Sequence, residues 1–194
     1  MQRKNKQKKI LLLALILVPL LVVAARAEDR RVLQCRVLAR DFMTELKGEL
    51  QAALRGGRLV PALSVCSKVA PELAERYSLL PGVEVGRTSE RCRNPENRPD
   101  SWEKEGLALF QKRRQQGETL AGMEYWQEVD DDEAGEKVFR YLRAIPVGSL
   151  CLRCHGENID GNLAKALSQL YPEDEAVGYR LGELRGALTI RLSP

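Results

Sequence analysis

Late in the chain, residues 148–156 read Gly-Ser-Leu-Cys-Leu-Arg-Cys-His-Gly and hold the pattern Cys-x-x-Cys-His. They also hold His155, the only histidine in 194 residues. Two thiols separated by two residues can each add across one vinyl group of a porphyrin, and the adjacent imidazole then lies under the iron. The motif therefore asks for a fold that encloses a flat apolar group against Cys151, Cys154 and His155. The cofactor it implies is one haem c, covalently bound through Cys151 and Cys154. A structural zinc site would want four ligands, and no second Cys-x-x-Cys or spare histidine exists to complete one. A thioredoxin-like pair sits at a helix start after a strand, and "IPVGSLCLRCH" does follow a strand-like run, but the haem alternative carries more of the chain.

Residues 1–9 are basic, residues 10–25 are apolar with one proline, and Ala25-Arg26-Ala27 closes the segment. Basic, apolar and small-x-small regions in that order describe a secretory signal peptide over residues 1–27. The alternative is an uncleaved membrane tether over residues 10–25, the only route to the membrane that the sequence offers. The expected location is the periplasm or another exported compartment, which is oxidising. Residues 1–27 carry six of the 31 Lys and Arg and none of the 27 acids, so the rest of the chain has a net charge of about −2. No basic surplus remains to displace counterions, and a nucleic-acid partner is not expected.

Residues 28–194 read as one α+β domain. Leu33, Val37, Phe42, Leu46 and Leu50 recur at helical spacing over 28–54, and "RGGR" at 55–58 ends that helix. A second helix over 61–77 carries Leu63, Cys66, Val69 and Leu73 on one side, with Pro71 predicting a kink or two shorter pieces. A strand follows over 83–88, then a helix over 102–116 capped by Asp100 or Ser101. "GMEYWQEV" and "GEKVFRYLRAIPV" alternate as a hairpin about the acidic turn "DDDEAG". A short helix over 163–170 and a last strand, "ALTIRL", complete the order.

Small electron-carrier cytochromes bind haem near the N-terminus and supply a methionine further on. Here the motif ends 39 residues from the C-terminus and no methionine follows Met123. A four-helix cytochrome c-prime would need no strands around the motif. For the axial face opposite His155 the residues leave Met43, Met123, Cys35, Cys66, Cys92, the lysines and water as candidates. Methionines and helical cysteines are common core side chains, so none stands out by itself.

Four segments together resemble an exported single-haem domain family with a PAS-like fold, long catalogued as a domain of unknown function and also found as the sensing part of histidine kinases. They are "VCSKVAPELA" (65–74), "GRTSERCRNPENRPDSWE" (86–103), "LCLRCHG" (150–156) and "YPEDEAVGYRLGELRGALTI" (171–190). The resemblance implies a PAS-like antiparallel sheet packed with helices, and it implies Cys66 as the second axial ligand. Many members carry two basic residues before "TS", where this chain has Gly86-Arg87. Arg87 and Arg93 remain candidates for the haem propionates, because a guanidinium matches a carboxylate in forked geometry. Cys35 and Cys92 are left as thiols that pair or do not.

A thiolate ligand donates strongly and favours ferric iron, so His155/Cys66 ligation predicts a low reduction potential. Loss of the thiolate on reduction would turn iron state into a packing change in the helices and open a site for carbon monoxide or nitric oxide. The expected role is a redox or gas sensor that signals to an unidentified redox or signalling protein. The alternative is an electron-transfer cytochrome whose ligands stay unchanged. An enzyme is not expected, since the only histidine is spent and no distal base is placed.

Overall fold

The computed structural model describes residues 30–55, 59–131 and 135–194. The expected signal peptide, the paired glycines at 56 and 57 and residues 132–134 of the acidic hairpin turn lie outside these residues. Among the described residues no helix is long and apolar enough to cross a membrane. The chain divides into two compact units, residues 1–36 and 37–194. Of the first, helical residues 30–36 are described, with Val32 and Cys35 buried.

Helix α1 spans residues 30–54. The expected second helix is three pieces, α2 (Leu59–Ser64), a π-helical turn (Val65–Val69) and α3 (Ala70–Ser78). Pro71 explains the break. Its ring excludes the α-helical bond to the carbonyl four residues back, and the ladder widens instead, with the Ala70 N–H bonding the Val65 carbonyl. Strand β1 (Val83–Thr88) is followed by α4 (Ser101–Gln115). Asp100 caps α4 in a reciprocal box: it accepts from the Glu103 N–H at 2.8 Å, and Glu103 accepts from the Asp100 N–H at 3.2 Å. The hairpin is β2 (Glu124–Asp130) and β3 (Lys137–Pro146), then come α5 (Ser149–His155), α6 (Gly161–Leu170) and β4 (Leu184–Leu192).

The four strands form one antiparallel sheet in the order β1-β4-β3-β2, so the α+β expectation holds. The last strand occupies the interior of the sheet. Its alternation accounts for that: Leu188, Ile190 and Leu192 are buried on one face and Ala187 on the other, whereas β2 is polar and sits at an edge. On one face α4 packs Trp102, Leu107 and Phe110 against Leu142, Ala144 and Ala187, and Met123 is buried in this cluster. The other face, with Tyr141, Leu188 and Ile190, carries α3 and residues 37–54 of α1, where Phe42 meets the Tyr77 ring edge-on at 5.8 Å. Helix α6 packs Leu163 and Leu167 on Leu63 of α2.

Where β4 begins, Gly186 takes φ +152°, and a Cβ there would lie 2.3 Å from the Thr88 carbonyl oxygen. Backbone stands against backbone, so nothing can turn aside. Gly186→Ala is expected to cost on the order of 2–3 kcal/mol in urea unfolding.

Candidate functional site

Helix α5 carries the motif. Cys151, Cys154 and His155 stand at i, i+3 and i+4, which brings all three to one face of a helix. The Cys151 Sγ accepts from the Gly148 N–H at 3.4 Å, and the Gly156 N–H closes the last turn on the Leu152 carbonyl. This face borders a cavity of about 400 Å³. The helical wall comprises Met43, Leu46, Lys47, Leu50 and Gln51 of α1 together with Cys66 in the π turn. The sheet supplies Arg87 and Thr88 from β1, Ile145 and Pro146 from β3, and Arg185, Gly186 and Ala187 from β4. Ser89, Cys92, Arg93 and Asn97 close it from the loop after β1.

The six expected site residues, Cys66, Arg87, Arg93, Cys151, Cys154 and His155, therefore border one cavity. Met43, Lys47 and Cys92 border it as well, whereas Met123 is buried in the core under α4 on the other face of the sheet. The Cys92 thiol donates to the Ser89 carbonyl at 3.0 Å, and burial pushes its pKa up. Among the described residues no disulfide is formed.

His155 is fixed by the loop before β4. Its Nδ1 lies 2.7 Å from the Ala176 carbonyl oxygen, so Nδ1 carries the proton and donates, leaving Nε2 with a free lone pair. Burial, then the positive charges of Arg185 and Arg93, hold the imidazole well below its ordinary pKa and keep it neutral, the form that ligates a metal. The Tyr179 ring meets it edge-on at 6.3 Å, and the Tyr179 N–H bonds the His155 carbonyl at 2.8 Å.

Arg93 is only 6% exposed and is committed inside the protein. Its Nε donates to Asp174 at 2.9 Å, and one terminal nitrogen donates to the carbonyls of Cys154 at 2.7 Å and Ala176 at 3.3 Å. A cation on the last carbonyls of α5 suits the negative end of that helix. Arg93 thus holds the motif helix against the 171–179 loop, a task distinct from the propionate contact expected for it. Asp174 in turn accepts from the Ala176 N–H at 2.8 Å, which sets the carbonyl that orients His155.

Sequence reasoning passed over Arg185, Asp174 and Ala176. The resembling segment 171–190 contains all three, but a backbone carbonyl has no signature in the residue type that bears it. Arg185 donates to Ser89 Oγ at 2.9 Å and to the Arg91 carbonyl at 3.3 Å. The cavity is bordered by Lys47, Arg87, Arg93 and Arg185 and, among the described residues, by no aspartate or glutamate. Apolar walls, surplus cations, two thiols and a neutral imidazole with a free lone pair fit a flat, apolar, dianionic metal macrocycle such as the haem the motif implies.

No curated protein matches the sequence significantly. Among solved structures, the crystal structure of the cyanobacterial haem protein Tll0287 superposes with a TM-score of 0.64 at 20% identity, covering 85% of this chain and 95% of that one. At that identity the likeness speaks to the fold. The sequence model of the Tll0287-like family matches residues 19–193, nearly the whole length, and this chain belongs to the Tll0287-like family.

Proposed function

We propose that the chain is an exported c-type haem protein of PAS-like architecture that responds to redox state, with no catalytic role. Cys151 and Cys154 would hold haem by thioether bonds, and His155 and Cys66 would supply the donors to its iron. One observation carries this reading: both motif thiols, an imidazole with Nδ1 tied and Nε2 free, and Cys66 border a single cavity rich in cations. The resemblance to a haem protein over most of the chain supports it.

Bound there, haem supplies a one-electron iron couple and a coordination site for small gases. The remaining work belongs to the chain. His155 stays neutral and aimed through Ala176, and the apolar wall excludes water. Cys66 stands in the π turn, where Pro71, the residue that would donate to its carbonyl in a π register, has no N–H. As a thiolate its Sγ is a strong donor, and with a proton on Sγ it becomes a weak one. Cys66 lies in the π turn that joins α2 to α3, so release of its sulfur would free that junction to shift, for an unidentified redox or signalling protein to read.

The test is production of the full chain in a host equipped for c-type haem maturation. Haem is expected to stay on the chain in a denaturing gel, and its reduced pyridine adduct is expected to show a two-thioether spectrum. Colourless protein under these conditions would remove the proposal.

A further inference from the structure

We propose that Arg185 and Arg87 together take the two propionates of the haem, so that its carboxylate edge is turned into the protein at the β1–β4 end of the sheet. This rests on the haem reading above. Of the four cations bordering the cavity, Arg93 is spoken for: Asp174 neutralises it and two carbonyls hold it. Arg185 differs, because its anchors are the neutral oxygens of Ser89 and Arg91, which fix the guanidinium without cancelling its charge. Its plane also lies over the Tyr179 ring at 5.4 Å. Among the described residues Arg87 pairs with no aspartate or glutamate, and Cys66 and Tyr171 are the groups that favour its charge.

The two side chains come from neighbouring strands, since Arg87 faces Leu188 and Thr88 faces Ala187 in the β1–β4 register. Burial lowers the pKa of both. Two desolvated cations side by side persist at little cost only when anions join them. The propionates are the only anionic arms of a haem, and two forked guanidinium groups match two carboxylates. Lys47, the remaining cation, is a point charge on α1 and offers no fork to a carboxylate.

The experiment uses the matured holoprotein with Arg185→Gln, Arg87→Gln and the corresponding lysine variants. Resonance Raman bands of propionate bending and the midpoint potential are read beside ferric EPR. Each glutamine variant is expected to keep covalent haem and its axial EPR signature, shift the bending bands and lower the midpoint, because a cation facing the porphyrin favours ferrous iron. The lysine variants, which keep charge but lose the fork, are expected to recover the midpoint more than the bands. They also keep the test alive should a glutamine variant fail to fold. Bands and midpoint unmoved in all four variants would overturn the assignment, with the propionates then turned to solvent. Absence of haem from the unmutated protein would instead sink the reading on which it rests.

Discussion

Asp174→Ala is expected to cost about 3–5 kcal/mol of stability, the usual penalty for leaving one half of a buried ion pair unpaired. Arg93 and Asp174 have side chains only 6% and 10% exposed, so water cannot solvate the abandoned guanidinium. The matching exposed pair offers a control. Arg180 and Glu157 are 75% and 52% exposed, and Arg180→Ala is expected to cost less than about 1 kcal/mol. Urea unfolding of the three proteins compares them directly. The carboxylate lost in Asp174→Ala also fixes the Ala176 N–H, and the Ala176 carbonyl orients His155. The variant should therefore broaden the axial EPR signal as well as unfold earlier. Equal losses for the two alanine variants would mean that the Arg93–Asp174 pair does not hold the motif helix.

The second large effect is all-or-none. In the Cys151→Ala, Cys154→Ala double variant, haem is expected to leave the chain completely on a denaturing gel. Some reversible binding should survive, because His155 and the cations bordering the cavity are untouched. Cys66→Ser, by contrast, should keep all its covalent haem, because Cys66 lies in the π turn and outside the motif. Covalent haem that persisted in the double variant would place the attachment elsewhere and break the reading of α5.

Local signals make much of this legible in the sequence. The bounds of β1 follow from a Pro-Gly turn and alternation, and α4 follows from Asp100 with Glu103 three residues on. The hairpin and α6 have equally local causes. What escaped was non-local or small. That β4 lies between β1 and β3 depends on pairings across the whole domain. Helix α5 has only seven residues, too few for a periodic pattern, so the motif's own helix was not foreseen. Pro71 announced a break but not its form, and the π turn is where Cys66 sits.

The site divides in the same way. The three motif residues are readable because their spacing is itself the chemistry. Cys66 emerged only from a resemblance, since a cysteine on an apolar helical face looks like packing. Arg93 and Arg185 look alike in sequence, and only their partners separate them: a buried carboxylate for one, neutral oxygens for the other.

The measurement that bears most directly on the central claim is low-temperature EPR of the ferric protein beside its Cys66→Ser variant. The account predicts a low-spin thiolate signal in the unmutated protein that vanishes in the variant, while covalent haem content stays the same. Identical spectra would take Cys66 off the iron and leave Met43, Lys47 and Cys92, which border the same cavity, and water as the competing ligands. The protein would then be read as a plain electron carrier or an open-site haem protein, without a thiolate switch.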